Sequence, residues 1–217
     1  RIVFVIPLLL LVSMVTFTIV RDTPGGPFDR ERAPASAEIE RNIKAKYHLD
    51  KPVHQQYLIW LKGVLHGDLG PSLKYRSHSV TDIIAGGLPI TLVIAGAAAI
   101  FALGIGIPAG FMTAVGKGTW RDYLVGTLSI LAICVPALVV GPILVTFFAV
   151  RWQWFPVALV ESPMHLVLPT ITLGLYFAGR VSRLMREGML ETLDSEFIRT
   201  ARAKGVDEFR ILTRHAF

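Results

Sequence analysis

The chain has 217 residues, of which 53% are hydrophobic and only 18% are charged, and it carries a formal net charge of +6. Its mean hydropathy of +0.55 excludes an ordinary soluble globular domain, whose apolar content is lower. The basic charge does not indicate a nucleic-acid partner, because the cytoplasmic loops of membrane proteins normally collect Lys and Arg. The composition therefore predicts an all-α, polytopic helical membrane protein.

Four stretches lack Asp, Glu, Lys and Arg and are long enough to cross a bilayer, which needs roughly 20 apolar residues for each helix. They are residues 2–20, 83–116, 123–150 and 162–179. The first is predicted to be a retained helix, because no small-residue cleavage site of a signal peptide follows it. Small residues four apart, Gly106 and Gly110, predict close helix packing. Kinks or local breaks are predicted at five prolines: Pro89, Pro108, Pro136, Pro142 and Pro169.

The segment between the first two spans is predicted to form a small external helical domain over residues 21–85. Ser36 can cap a first short helix, in which three apolar residues recur at four-residue spacing: Ile39, Ile43 and Tyr47. A second helix after Pro52 has three apolar residues on one side: Tyr57, Leu61 and Leu65. Residues 67–71 are typical of a turn, and residues 79–84 predict a short surface helix that ends at Gly86 and Gly87. A cap on the bundle and contact with a partner are both open interpretations of this domain.

The positive charges predict the orientation of the chain in the membrane. Basic residues are concentrated after the fourth span, which marks that end as cytoplasmic: Arg180, Arg183, Arg186, Arg199, Arg202, Lys204, Arg210 and Arg214. Counting back across the spans places residues 116–122 inside and residues 151–161 and 21–82 outside. The first three arginines are expected to reach toward lipid headgroups.

The residues after the fourth span predict a helix, a tight turn and a second helix. Four apolar residues recur every four positions and predict one stripe on a single helix: Met189, Leu193, Phe197 and Ala201. Gly205 can adopt the left-handed conformation that ends a helix, and Asp207 can cap the next one. Two apolar residues of that next helix are expected to point inward, Phe209 and Leu212.

The sequence predicts neither a catalytic residue nor a metal site. The six histidines and the single Cys134 share no spacing typical of metal ligands, and no phosphate-binding Gly-x-x-x-x-Gly-Lys-Ser/Thr loop is present. No charged residue lies within a predicted span, whereas ion-coupled carriers commonly place one there. An energy source outside the membrane is therefore favoured over the two alternatives, an ion-coupled secondary carrier and a membrane-anchored scaffold.

Residues 197–205, Phe-Ile-Arg-Thr-Ala-Arg-Ala-Lys-Gly, with Arg214-His215-Ala216 after them, resemble the cytoplasmic EAA loop of the permeases of binding-protein-dependent ABC importers. The form is that of the dipeptide, oligopeptide and nickel branch. Residues 24–27, 49–52 with 56–58, and 67–72 are similar to the pattern of this branch in the same order. The length of the external segment and residues 70–75 most resemble the B-type oligopeptide permease subunits. The general Glu-Ala-Ala stands six, five and four residues before the glycine, where this chain has Arg199, Thr200 and Ala201.

The resemblance implies a multi-pass subunit of the bacterial inner membrane, with four of its six spans in this chain. Its domains would be a first helix (residues 1–20), the external domain (21–85) and a core permease domain (86–217). It would form the translocation path with a second permease subunit, within membrane lipid and without nucleic acid, for oligopeptides or dipeptides from an external binding protein. Nickel, sugars and cell-wall peptides are alternative substrates.

The resemblance also assigns the chemistry to partners. ATP and Mg would be bound by two ATPase subunits, and this chain would bind no cofactor and catalyse no reaction. An ATPase-docking loop would consist of Arg199, Thr200, Ala201, Arg202, Ala203, Lys204, Gly205 and Val206.

Overall fold

The structure, a computed structural model, describes residues 2–22, 49–72, 75 and 78–216. These residues form helices and turns, and their one extended pairing is an isolated bridge between Pro71 and Ser79. The all-α class is therefore confirmed. The chain divides into two structural units, Arg1–Pro89 and Ile90–Phe217. The domain limits proposed at residues 20 and 85 stay predictions.

In the first unit, α1 (Ile2–Asp22) contacts α2 (Val53–Leu65). The Tyr57 hydroxyl lies 2.9 Å from Ser13 Oγ, and the Tyr57 ring meets the Phe17 ring edge-on with their centroids 5.6 Å apart. This confirms the helix predicted after Pro52 and the inward position of Tyr57, although Leu65 is 78% exposed. The helix predicted after Ser36 lies outside the described residues.

The connection from α2 to the next helix contains the predicted turn. Gly67 and Gly70 have φ angles of +80° and +85°, in the left-handed region that glycine adopts at little cost. The predicted helix end at Gly86 and Gly87 is wrong, because α3 runs without interruption from Val80 to Val115. A glycine inside a helix costs only about 0.5–1 kcal/mol, and an apolar segment keeps its backbone hydrogen bonds within the helix.

Two continuous helical segments of the described chain are long and apolar enough to cross a membrane: α3 with 36 residues and Pro163–Leu193 with 31. The predicted third span is not continuous. Its two halves, Trp120–Cys134 and Ala137–Arg151, form a pair bent by 100°, which fits either one broken span or a re-entrant loop. In α1 the apolar part is the shorter segment Phe4–Val20. The helical membrane protein is thus confirmed, whereas the count of four spans stays a prediction.

The prolines act differently according to their position. Pro136 separates α4 (Trp120–Cys134) from α5 (Ala137–Leu144), as predicted, and Pro142 lies inside α5, which continues as a π-helix over Val145–Arg151. No break occurs at Pro89 or Pro108, since both lie within the uninterrupted α3. Pro169 lies in the first turn of α6 (Val167–Leu193), where a helix tolerates proline because the backbone N–H has no helical partner.

Helices α3 and α6 pack along a face of small residues in the second unit. A Cβ atom at Gly106 would lie 2.7 Å from the Ala178 carbonyl oxygen, and one at Gly110 would collide with the Ser182 carbonyl oxygen. In the other direction, a Cβ at Gly174 would lie 3.3 Å from the Ala98 carbonyl oxygen. Residue numbers rise together along this contact, so the two helices are parallel. The packing predicted from Gly106 and Gly110 is confirmed.

Helix α4 packs against α6 in the opposite direction. A Cβ atom at Gly179 would lie 2.6 Å from the Ser129 carbonyl oxygen, and the Ser129 hydroxyl donates to Ser182 Oγ at 3.1 Å. Asp122 precedes Ser129 on α4, and its partner Arg186 follows Ser182 on α6, so the two helices are antiparallel. The end of α3, the start of α4 and the end of α6 therefore lie at the same end of the bundle, as the charge pattern predicted for residues 116–122 and the C-terminal region.

Candidate functional site

Residues 194–216 leave the bundle at the end of α6, and we call them the terminal segment. Helix α6 stops at Leu193, and α7 (Glu196–Ala203) begins after Ser195, whose backbone is extended at ψ 154°. The Ser195 hydroxyl donates to the Thr192 carbonyl oxygen at 2.5 Å, which helps to terminate α6. The apolar stripe predicted along one helix is wrong, because this break changes the direction of the chain within the stripe.

The break also changes which residues of α7 are buried. Ile198 is fully buried, whereas Phe197, which the stripe placed inward, is 55% exposed. On α6, Met189 is 1% exposed, as the stripe required. A four-residue period predicts a common face only within one continuous helix, so it failed beyond Asp194.

The predicted left-handed turn at Gly205 is confirmed. Gly205 has φ +75°, its N–H donates to the Arg202 carbonyl oxygen at 3.0 Å, and the Val206 N–H donates to the Ala201 carbonyl oxygen at 3.1 Å. These two bonds form a Schellman motif, which satisfies carbonyl groups that the helix leaves without partners. No atom outside the adjoining residues lies within 4 Å of the Cβ position of Gly205, so the turn is open to solvent.

The next short helix, α8 (Glu208–Arg210), begins as predicted at Asp207, whose carboxylate accepts a hydrogen bond from the Arg210 N–H at 3.3 Å. The inward position predicted for Phe209 is wrong, since this side chain is 72% exposed. Ile211, which begins a π-helical turn over Ile211–His215, is fully buried instead. Leu212 is half-buried and packs inward as predicted.

An ion pair joins the two sides of the turn. Arg202 Nη2 lies 2.7 Å from Glu208 Oε1, and Arg202 Nε donates to Glu208 Oε2 at 3.2 Å. This hydrogen bond lowers the pKa of the Glu208 carboxyl group and raises the pKa of the Arg202 guanidinium. Both groups are ionised at neutral pH, so the pair links α7 to α8 under physiological conditions.

The terminal segment is anchored to the end of the bundle by a small apolar cluster. Its buried members come from three elements: Ala114 of α3, Met189 of α6 and Ala216 beyond the last helical turn. Partly buried residues pack around them: Phe111, Met185, Leu190, Leu193 and Leu212. We call these residues the anchoring cluster. Leu212 and Ala216 of the terminal segment are thus packed against side chains of α3 and α6.

The eight residues predicted as a docking loop lie together on α7 and the Gly205 turn. Six of them are exposed, and Ala201 and Val206 are half-buried. The structure adds two exposed aromatic side chains that the sequence reasoning did not include, Phe197 and Phe209. The sequence indicated them only by their hydrophobicity, on a segment in which no side was known to face the bundle. Whether this surface binds an ATPase stays a prediction.

Arg186 is the residue whose environment differs most from its prediction. Its guanidinium forms two parallel hydrogen bonds to Asp122, Nε to Oδ1 and Nη2 to Oδ2, each 2.9 Å long. It therefore pairs with a carboxylate on α4 instead of reaching toward lipid. Arg183 contacts Glu187 at 3.5 Å on the helix surface, and Arg180 Nη1 donates to the Tyr176 hydroxyl at 3.3 Å.

An apolar cavity of about 440 Å³ lies near the start of α6, at the opposite end of this helix from the terminal segment. Its walls come from α3, α5 with the π-helix that follows it, residues 156–160, the short helix Pro163–Leu166 and α6. They include Ile94, Gly141, Leu168 and Thr172. The volume is within the range of small-molecule sites, about 300–1,000 Å³.

Within the described part of the chain, no three His, Cys, Asp or Glu side chains are grouped as a metal site requires.

These features define a polytopic helical membrane protein with an exposed helix–turn–helix at one end. Residues 106–217 match the family model described as the inner membrane component of binding-protein-dependent transport systems. The chain therefore belongs to this family of inner-membrane transport components.

Named relatives cover nearly the whole chain. It is 37% identical over 218 residues to the oligopeptide transport system permease protein OppB of Haemophilus influenzae, a match that covers 100% of this chain and 71% of that protein. It is 39% identical over 213 residues to OppB of Salmonella typhimurium, covering 97% and 69%. The dipeptide transport system permease protein DppB of Bacillus subtilis is 36% identical over 208 residues, covering 96% and 67%.

Proposed function

We propose that this chain is a permease subunit of an ATP-driven importer and that it conducts oligopeptides or dipeptides delivered by an external binding protein. It forms the translocation path with a second permease subunit. Two ATPase subunits bind ATP and Mg and supply the energy, and this chain hydrolyses no ATP. The observation that carries the proposal is the exposed Gly205 turn, held at the end of the bundle, in a chain whose relatives are named peptide permeases.

The surface around Gly205 has the composition of a protein-binding surface. Phe197 and Phe209 expose aromatic rings, which are typical anchors in interfaces, and the Arg202–Glu208 pair lies between their helices. The turn itself is narrow because Gly205 has no side chain. We infer that the turn enters a groove on an ATPase subunit and that the two phenylalanines pack against the rim of this groove.

The anchoring cluster gives this surface a route to the membrane part of the protein. Ile198 and Ile211 are fully buried, and Met189 and Ala216 connect the segment to α3 and α6. A force applied at the Gly205 turn therefore acts on packed side chains and not on a flexible tether. In the proposed cycle, closure of the ATPase pair moves the terminal segment together with α6 and changes the side of the membrane to which the path opens.

The peptide assignment rests on the named relatives, and the apolar cavity at the start of α6 is compatible with it. Its volume could hold an apolar side chain of a peptide. Because α6 also carries the terminal segment, a single helix would connect the region near the cavity to the ATPase.

The test compares two glycines in the same backbone conformation. Gly205 and Gly67 have φ angles of +75° and +80°, and neither Cβ position has another residue within 4 Å. Valine at either position therefore costs about 1–2 kcal/mol of backbone strain, and its Cβ atom meets no neighbouring atom. Gly67 lies in the other structural unit, which makes Gly67→Val the matched control.

ATPase co-purification, peptide uptake and membrane abundance are measured for each variant in cells that contain the whole importer. We expect Gly205→Val to lower ATPase co-purification and uptake by about 5- to 30-fold, the factor that corresponds to this strain, with normal abundance. Gly67→Val should leave co-purification unchanged, and Arg199→Ala should be milder than Gly205→Val. Normal co-purification and uptake in the Gly205→Val strain would refute the docking role.

A further inference from the structure

The ion pair between Asp122 and Arg186 joins two helices at the end of the bundle that carries the terminal segment. We propose that Asp122 and Arg186 are a positioning pair, which fixes the end of α6 against α4 and thereby sets the orientation in which the terminal segment meets the ATPase. The proposal rests on the proposed function for its transport consequence, whereas the orientation itself can be measured without transport.

The geometry of the pair is that of a fixed contact. The two parallel hydrogen bonds of 2.9 Å hold the planar guanidinium against the planar carboxylate, which restricts rotation as well as distance. The Asp122 side chain is only 10% exposed and that of Arg186 is 32% exposed. Removing one partner therefore leaves the other charge partly buried without its counter-ion, which costs more than breaking a surface pair.

Asp122 also fixes the turn between α3 and α4. The Gly118 N–H donates to Asp122 Oδ2 at 3.1 Å, and Gly118 has φ +78°. The carboxylate thus connects three elements through named bonds: the turn, the first turn of α4 and the last part of α6. Lysine at position 186 would preserve the charge but could not form the two parallel bonds.

The pair completes a continuous contact between α4 and α6. Gly179 approaches the Ser129 carbonyl oxygen, Ser182 accepts a hydrogen bond from Ser129, and Arg186 binds Asp122. These α6 positions are three and four residues apart and so lie on one face of the helix. Of these three contacts, the one between Arg186 and Asp122 is the charged one and lies nearest to the terminal segment.

The next residues of α6 connect the pair to the terminal segment. Met189 is one helical turn after Arg186 and is a buried member of the anchoring cluster, and Met185, which precedes Arg186, packs against the same cluster. A rotation or shift of α6 at Arg186 therefore displaces the side chains that hold Leu212 and Ala216. The orientation of the Gly205 turn depends on this packing.

A matched control lies one turn away on the same helix. Arg183 and Glu187 form an i,i+4 pair at 3.5 Å, with side chains 55% and 62% exposed. Both side chains of this pair lie on α6, and its loss leaves the two hydrogen bonds between Arg186 and Asp122 in place. Glu187→Gln is therefore the control for Asp122→Asn, and Arg183→Lys is the control for Arg186→Lys.

Hydrogen exchange of the purified importer complex measures how firmly the terminal segment is held. We expect Asp122→Asn and Arg186→Lys to raise the exchange of the amides of residues 196–206 by about twofold to thirtyfold, the range of measured coupling effects, whereas both control variants leave it unchanged. The reciprocal exchange, Asp122→Arg with Arg186→Asp, should restore part of the protection, because it re-forms a charge pair between α4 and α6 but loses the hydrogen bond from the Gly118 N–H. Unchanged exchange in both single variants, or no restoration in a reciprocal variant of normal abundance, would overturn the proposal.

Transport supplies the second measurement, in which peptide uptake is divided by ATP hydrolysed in proteoliposomes. A positioning role predicts that this ratio falls in the two single variants, recovers in part in the reciprocal variant and is unaffected in the controls. A role in stability alone would lower the amount of complex but leave the ratio unchanged, and that result would overturn the proposal. If the wild-type complex transports no peptide, the proposed function fails while the exchange test of the pair still stands.

Discussion

Replacing Gly106 by alanine should destabilise the bundle, whereas replacing Gly104, two residues earlier in α3, should not. A Cβ atom at Gly106 would lie 2.7 Å from the Ala178 carbonyl oxygen and 2.8 Å from Val181 Cβ. Carbon atoms pack at about 3.5–4.0 Å, so α3 and α6 would have to separate by several tenths of an ångström. Such overpacking costs about 1–3 kcal/mol. At Gly104 nothing lies within 4 Å, and alanine in a helix is favoured over glycine by about 0.5–1 kcal/mol.

Thermal unfolding of the purified complex in lipid nanodiscs provides the assay. At about 2–4 °C per kcal/mol for a chain of this size, Gly106→Ala should lower the Tm by about 2–12 °C, and Gly104→Ala should leave it unchanged or slightly higher. Gly110→Ala should resemble Gly106→Ala, because its Cβ would meet the Ser182 carbonyl oxygen and lie 2.6 Å from Met185 Cβ. Equal Tm values for the Gly104 and Gly106 variants would refute the close contact between α3 and α6.

Two further predictions concern topology and pH. Cysteine at the exposed Thr119 should be protected from an impermeant thiol reagent added outside intact cells, and cysteine at the exposed His66 should be labelled. Ser72 is unsuitable for labelling because it is buried. The opposite labelling pattern would show that the orientation is reversed. The Arg202 hydrogen bond lowers the pKa of Glu208, so the stability from this pair is present above the unfolded-state pKa, about 4.3, and is lost as the pH falls through the folded-state pKa. Glu208→Gln should therefore reduce the exchange protection of residues 204–207 slightly at pH 7, and this reduction should shrink as the pH is lowered below about 4.3. A reduction that does not shrink with falling pH would contradict this.

The sequence predicted those parts of the fold that depend on local chemistry. The left-handed turn at Gly205, the cap at Asp207 and the break at Pro136 each follow from the backbone properties of a single residue, and each is present. The helix end predicted at Gly86 and Gly87 is absent, because glycine permits a break without requiring one. Local chemistry therefore predicted the residues at which the chain can turn better than the residues at which it has to turn.

The terminal segment shows why the remaining details could not be predicted. The four-residue period assumed one helix through Leu193 and Phe197, and the break at Ser195 rotated Ile198 inward in place of Phe197. Arg186 was expected to reach toward lipid headgroups because it follows a predicted span, and its partner Asp122 is 64 residues earlier in the chain. No local pattern indicates such a pair, which becomes apparent only when the antiparallel contact of α4 and α6 brings the two helix ends together.

The packing of α6 determines which parts of the second unit can move separately. With 27 residues, α6 is about 40 Å long, enough to connect the two sides of a bilayer. Gly174 and Gly179 bring it into close contact with α3 and α4, so a shift of α6 relative to either helix meets backbone atoms. Its contact with α5 is looser, since a Cβ atom at Gly141 would lie at an ordinary 3.5 Å from Thr172 Cγ2. In the proposed cycle, α3, α4 and α6 therefore move as one body with the terminal segment, and the break at Pro136 allows α5 and the wall of the cavity that it forms to adjust.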